Sequence, residues 1–517
     1  MLARTGLKYP SKLHCKKVAS NLSKHARHNA IILVKGNAAQ LRDNTDTDLP
    51  FRQESNFFYL SGVQDPDCYF IYDFSHSKSY LIAPDLDPAK AIWTGPDMTD
   101  SQLLKAFDVD HENTVLLVTA TTVIVHTTMG LMATITAIAV ATTMTTTTEP
   151  EDSDEVTLLE AMILARINKT PIEIALSRES TRITSDAHRV TMQSIRPGMF
   201  EYQLGALFQY ECDRQGGKPT YLSIVGSGVN GAYLHYTKND RQIKDGDLVV
   251  LDAACEVDCY TSDVTRTFPA NGRFSPEQLE IYNLVREMQS SVISLMEKGI
   301  EWREMFVLSQ KIGIRGLKRL GIFTGDENDL FESNIIRVFY PHGLGHLLGL
   351  NVHDDGLGLA VQRPEALMGS ATLPPGMLLT VEPGIYFNPA QVESALQNPD
   401  LAQYLDEPTL RRYMSVGGVR IEDVVLMLPN GTVSNITTIT SDPHEIEQIV
   451  QEGQRLHRES QQMGQDVGSG KEKYSKEKQQ TTTTPAASDK NASKLPQGAK
   501  KRLGVFKKLM RAIRGLF

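Results

Sequence analysis

The chain has 517 residues, 41% of them hydrophobic and 22% charged, with a formal net charge of −9. This is the composition of a globular protein of two or three domains, and it excludes a mostly disordered, collagenous or membrane-embedded chain; the negative charge excludes a general nucleic-acid binder. Five scattered cysteines (Cys15, Cys68, Cys212, Cys255, Cys259) are too few for a disulfide framework and favour a reducing compartment, the cytoplasm.

The N-terminus is basic, has no acid before Asp43 and lacks the continuous apolar stretch of a secretory signal. Ser11 to Leu22 reads as a surface helix, with a mitochondrial transit peptide as the alternative. Residues 30–118 alternate strands and turns, with IILVKG, CYFIYDF and YLIAPD as the strand signals. They read as an α/β domain occupying residues 1–118. Asn113 to Thr148 contains no Asp, Glu, Lys or Arg, and 14 of its 36 residues are Thr. MGLMATITAIAVATTM is apolar, but threonine density and the lack of flanking Lys/Arg argue against a membrane span. TVLLV reads as a strand, and residues 119–150 as a Thr-rich low-complexity linker.

Residues 151–450 form the second domain. Thr170-Pro171-Ile172-Glu173 and Ser275-Pro276-Glu277-Gln278 each open a helix with an N-cap, an N1 proline and a capping-box residue. Leu279, Tyr282, Val285, Met288 and Val292 form the core stripe of the second, which ends near Gly299. After Pro443 the chain turns polar and is expected to be disordered, giving a basic tail over 451–517. That tail holds 15 Lys/Arg against 6 Asp/Glu, or +9, and leaves −18 on the first 450 residues. Its last 18 residues carry seven basic side chains, with Leu503, Phe506, Met510, Ile513 and Phe517 at helical spacing. This is a basic amphipathic helix suited to an anionic membrane surface or a partner groove.

Chemistry concentrates in KDGDLVVLDAACEVDCYTSDVTRTFP. LVVLDAAC and YTSDVTRTF read as two strands of a hairpin centred between Val257 and Asp258, which sets Asp252 opposite Asp263 with Cβ atoms about 5 Å apart. Carboxylates that close repel unless a cation lies between them. PHGLGHLLGLNVHD places His342, His346 and His353 in glycine-rich backbone that can approach a centre closely. LLTVEPGIY ends an apolar strand in Glu382, and GGVRIEDVVLML sets Arg420 and Glu422 on one strand face. Asp252, Asp263, His346, Glu382 and Glu422 together supply four carboxylates and an imidazole, enough to balance two divalent cations. Oxygen-rich ligation favours Mn²⁺ or another hard ion.

The ordered set DAACEVDCYTSDVTRTFP, PHGLGHLLGLNVHD, TVEPGIY and GGVRIED resembles the Xaa-Pro peptidase branch of the creatinase/methionine-aminopeptidase-like family, which contains aminopeptidase P and prolidase. DLPFRQESNFFYLSGVQDPDCYFIYD and AIWTGP resemble the N-terminal domain of fungal-type members. The resemblance implies an α/β creatinase-like N-terminal domain, an α+β pita-bread catalytic domain and a site for two Mn²⁺ ions. It also suggests a homodimer. By position, Asp252 would bind one metal, His346 and Glu382 the other, and Asp263 and Glu422 would bridge them. His235 matches the family histidine that contacts substrate, His353 the one that stabilises the tetrahedral intermediate, His342 a further active-site histidine, and Arg420 the arginine beside the bridging glutamate. The implied activity is release of the N-terminal residue from peptides with proline second. A dipeptide-preferring prolidase and a metal-free binding module are the alternatives.

Ala254 stands where relatives often have glycine, the motif here reading Asp-Ala-Ala. Cys255 and Cys259 read as reduced structural cysteines, His188 as structural, and His14, His25, His28 and His126 as surface or incidental.

Overall fold

β-branched and aromatic runs build the first sheet. In the computed structural model of the chain, which describes residues 7–27, 30–84, 98–112, 122–126, 157–296, 298, 301–354 and 373–478, strands β1 (Ala30–Lys35), β2 (Tyr69–Asp73), β3 (Lys78–Ile82), β4 (His111–Glu112) and β5 (Thr122–His126) lie in the order β4-β3-β2-β1-β5. β1 pairs antiparallel with β2 (Leu33↔Ile71) and parallel with β5 (Leu33↔Val125). β5 comes out of the stretch read as a linker: its TVIVH sequence carries the β-branched side chains that suit a pleated surface. TVLLV, AIWTGP and the apolar stretch after β5 fall outside the described residues. Among those described, no helix is long and apolar enough to cross a membrane.

Helix α1 (Ser11–Asn21) is not a surface helix. Ser11, His14, Cys15 and Val18 are buried. His14 is fully enclosed, 2.9 Å from Tyr59 O through Nδ1 and 3.3 Å from a Glu173 carboxylate oxygen through Nε2. The expectation of an incidental histidine fails because its partners are remote in sequence. Next, α2 (Ser55–Ser61) is capped by Glu54 and stopped by Gly62 at φ +72°, the left-handed conformation glycine adopts freely.

The second half of the chain opens with α3 (Leu158–Ile167), α4 (Pro171–Ser194) and α5 (Glu201–Asp213). Thr170 donates through N and Oγ1 to Glu173 Oε2, both at 2.7 Å, so the capping box at α4 forms. Strands β6 (Lys218–Pro219), β7 (Ile224–Ser227), β8 (Leu248–Asp252), β9 (Cys255–Val257), β10 (Tyr260–Thr261) and β11 (Thr265–Pro269) follow. They make two small sheets, β11-β8-β7 and β10-β9-β6. Helix α6 (Pro276–Met296) buries Tyr282, Val285, Met288 and Val292, with Leu279 packed against the same core, and α7 (Trp302–Arg319) packs along it. Strands β12 (Leu378–Val381), β13 (Gly384–Tyr386), β14 (Gly418–Arg420), β15 (Asp423–Met427) and β16 (Val433–Asn435) complete the half, with β12 and β16 flanking β15 and β13 paired to β14.

The β8–β11 register differs from the predicted one. Val257 pairs with Tyr260 and Asp252 with Thr265, so the hairpin centre lies between Asp258 and Cys259. Both tip residues take positive φ, 46° and 65°, a two-residue primed turn that sets the register two residues along from the expected one. Ala253 N bonds Val264 O and Ser262 N bonds Cys255 O, which places Asp263 opposite Ala254. Asp252 and Asp263 are therefore diagonal neighbours, not direct partners. A shift of two residues keeps both on one face.

Disorder does not begin at Pro443. Helix α8 runs from Pro443 to Lys478, with Ile446 and Val450 buried one turn apart. At Gly453 an added Cβ would fall 1.8 Å from Gln193 O, so the backbones touch there. Residues to Leu456 belong to one compact unit and those from His457 to another. The tail from 479 on, including the amphipathic segment 500–517, lies outside the described residues.

Candidate active site

Three stretches of chain bring the predicted residues together. β8 and the residue pair before β11 carry Asp252 and Asp263. The loop after His342 runs beside β12: Leu348 N bonds Leu378 O, Thr380 N bonds His346 O and Glu382 N bonds Leu344 O. This close approach depends on Gly345, where a Cβ would lie 2.0 Å from Thr380 O. It leaves His346 beside Glu382. The link between β14 and β15 supplies Glu422, whose N–H bonds Thr265 O.

His346 Nε2 lies 3.4 Å from Asp263, 3.6 Å from Glu382 and 4.0 Å from Glu422. Its Nδ1 sits 3.0 Å from Leu347 O, where it donates and leaves Nε2 facing the acids. Burial pulls its pKa down, but the bond to Asp263 and the charges of Asp263 and Glu382 outweigh that and raise it to about 9. Glu382 is pushed up to about 7, chiefly by burial. Glu422 is raised well above the carboxylate range by burial and then by Asp263, Glu382 and Asp252. Asp252 is raised by burial and repulsion from Asp263, although Arg420 opposes this.

The donor set fits a divalent cation. Ligand atoms of Asp263, His346 and Glu422 lie within 4.8 Å of one another, and the raised carboxyls report repulsion that a cation would relieve. Asp252 and Glu382 border the same cluster.

Arg420 bonds differently from the expected contact with Glu422. Its Nη2 donates to Asp252 Oδ2 at 2.5 Å, Nη1 to the Tyr386 hydroxyl at 3.0 Å and Nε to Thr265 Oγ1 at 3.1 Å. It reaches Glu422 only through Thr265, because β14 ends at Arg420 and the chain turns before β15. His342 has both ring nitrogens engaged, Nδ1 2.8 Å from Gly343 O and Nε2 2.9 Å from the Tyr386 hydroxyl. Burial and the charge of Arg420 lower its pKa to about 3, so it is neutral. The His353 ring centroid lies 4.2 Å from that of His346, and burial followed by His346 lowers its pKa. His235 is exposed and makes no hydrogen bond or ion pair among the described residues, and it lies within electrostatic reach of both His342 and His353.

Sequence reasoning missed Tyr221, Thr265 and Tyr386. The Tyr221 hydroxyl lies 2.5 Å from Asp252 Oδ1 and 2.5 Å from Asp263 Oδ1, spanning both carboxylates. Nothing in its local sequence marks it. Thr265 stands two residues from Asp263 on the same strand face and was legible from that alternation. His188 Nε2 is 3.0 Å from both Ala253 O and Val264 O, stitching the two strands between the aspartates.

Residues 175–429 match metallopeptidase family M24, and residues 14–120 match the aminopeptidase P N-terminal domain. A probable Xaa-Pro aminopeptidase of Botryotinia fuckeliana is 38% identical over 453 residues, covering 86% of this chain and 97% of that relative. Escherichia coli aminopeptidase P with the inhibitor Pro-Leu is 29% identical at a TM-score of 0.71, covering 87% of this chain and 100% of that one. The zinc-substituted form of the E. coli enzyme, in complex with product, superposes at a TM-score of 0.70 with 30% identity over 86% of this chain and 99% of that one.

Proposed function

Because the chain belongs to the Xaa-Pro aminopeptidases of metallopeptidase family M24, we propose that it is a metal-dependent exopeptidase releasing the N-terminal residue from peptides with proline second. The observation that carries this reading is the convergence of Asp252, Asp263, His346, Glu382 and Glu422 on one half-buried centre.

We assign Asp252 to one divalent ion, His346 and Glu382 to a second, and Asp263 and Glu422 to both, with Mn²⁺ as the metal. When bound, such ions supply Lewis acidity and acidify a water molecule. The chain's own groups do the rest. Glu382 accepts the proton of the attacking water and passes it to the departing proline nitrogen, which in the tertiary amide has no N–H of its own. His353, kept neutral, donates to the oxyanion that develops on the scissile carbonyl. Arg420 bonds Asp252 and opposes the rise in its pKa that burial and the neighbouring Asp263 cause. His235, at the exposed rim, meets substrate, and His342 braces Tyr386 and through it Arg420. All five cysteines are free and buried, which supports the cytoplasm as the compartment, with the mitochondrion as the alternative; a homodimer is the proposed assembly.

The test uses protein stripped with chelator and reloaded with Mn²⁺, with metal content measured per chain. Xaa-Pro-Xaa tripeptide and Xaa-Pro dipeptide are offered side by side and amino-acid release is followed. Metal-dependent cleavage of the tripeptide, lost in Glu382→Ala, is expected. Cleavage of the dipeptide alone makes the protein a prolidase. Cleavage of neither, with metal bound, removes the enzyme reading in favour of a binding module.

A further inference from the structure

The N-terminal half carries a cavity of about 330 Å³ lined by Lys16, Ala19, Ser20, Lys24, Arg27, Tyr72, Phe74 and Ser77. That volume is at the lower end of small-molecule sites. One wall is α1 and the short helical turn Lys24–Arg27; the other is the β2–β3 hairpin. Three cations and three hydroxyls line it, and among the described residues no carboxylate does, in a protein whose net charge is −9.

Arg27 donates through Nε to Ser23 O at 3.3 Å, while Lys16 and Lys24 differ from the other basic residues nearby. Lys12 pairs with Asp108 and Asp110, Lys78 with Asp110, and Lys8 and Lys17 donate to backbone carbonyls. The hairpin's own acid, Asp73, is engaged by the amides of Ser75 and His76 and by the His76 ring. Among the described residues, Lys16 and Lys24 make no ion pair. Lys16 and Ser20, one turn apart on α1, and Lys24 and Arg27, on the helical turn that follows the extended Leu22, line the same cavity. Opposite them the Tyr72 and Phe74 rings meet edge to face, with centroids 5.5 Å apart. A cationic wall recognises a multiply charged anion, and an aromatic wall recognises a ring.

We propose that this cavity binds a phosphate monoester bearing an aromatic ring, the chemistry of a nucleoside monophosphate, with the phosphate on Lys16, Lys24 and Arg27 and the ring against the partly exposed Phe74. The site shares no residue with the metal cluster, so this inference does not rest on the peptidase reading.

The experiment is calorimetric titration of the full-length, Mn²⁺-loaded protein at low ionic strength with AMP, inorganic phosphate and adenosine. Saturable AMP binding is expected, with adenosine and inorganic phosphate each weaker. Lys16→Gln/Lys24→Gln should weaken AMP about tenfold, and Phe74→Leu should weaken AMP while leaving inorganic phosphate alone. Peptide hydrolysis, unchanged in both variants, reports that the fold is intact. AMP binding that survives the double lysine change places the ligand elsewhere, at the metal cluster for instance, and overturns the assignment. Equal affinity for inorganic phosphate and AMP overturns the ring half of it, and absence of saturable AMP binding overturns the whole.

Discussion

The Thr265 hydroxyl donates to Glu422 Oε2 at 2.7 Å while accepting from Arg420 Nε at 3.1 Å. One small side chain thus fixes a carboxylate proposed to bridge two metals and the guanidinium that holds Asp252. Thr265→Val keeps the shape and removes both bonds. Partners that orient ligands are worth about 10- to 100-fold in metal affinity or activity, so Mn²⁺ titration and kcat should fall within that range while the protein stays folded. Unchanged Mn²⁺ affinity and kcat would show that the hydroxyl is dispensable.

Glu422→Gln separates metal binding from folding. Glu422 is 2% exposed, and its raised pKa reflects burial and three neighbouring carboxylates. An uncharged isostere relieves that repulsion and still accepts from Thr265. The chelator-treated variant should melt no lower than the chelator-treated parent, while Mn²⁺ binding weakens by about two orders of magnitude. A large drop in melting temperature without metal would contradict the repulsion argument.

Arg166 pins the loop that carries His353. It bonds Asn56 Oδ1 at 2.7 Å and pairs with buried Asp354, which Lys169 also approaches at 3.3 Å. Arg52 and Ser55 add bonds to Leu350 O and Asn351 Oδ1 from the N-terminal half. Removing one partner of a buried pair costs about 3–5 kcal/mol. Arg166→Ala should lose stability on that scale in denaturant unfolding. It should also lower kcat by displacing His353, with Mn²⁺ affinity little changed because no proposed ligand is touched. Wild-type kcat in a destabilised Arg166→Ala would separate the clamp from catalysis.

His188 gives the acid limb of stability. It is fully buried, and burial followed by repulsion from Arg266 lowers its pKa to about 3 from an ordinary value of 6.5. Between those values the unfolded chain takes up a proton that the folded protein refuses. Stability is therefore complete above pH 6.5 and falls as pH drops toward 3, by an amount on the order of 4 kcal/mol from this group. His188→Gln keeps a donor for Ala253 O and Val264 O but cannot titrate, so its stability curve should be flatter across that window. An identical slope in both proteins would assign the acid loss to other groups.

The sequence by itself determined which residues are proposed as metal ligands. Asp252, Asp263, His346, Glu382 and Glu422 were legible because each lies in a local pattern: strand alternation, glycine-flanked histidines, a strand-end glutamate before Pro-Gly. Capping boxes at Thr170 and Ser275 were legible for the same reason, since a cap is decided within four residues. The hairpin register was not, because it turned on positive φ at Asp258 and Cys259, which the residue types did not announce. Tertiary structure alone decided that Arg420 serves Asp252, that Tyr221 spans two aspartates, and that His14 is a buried partner of Glu173. Each of those contacts joins residues from 31 to 168 positions apart. Their energy depends on which surfaces the packed elements bring face to face, and no local spacing encodes that.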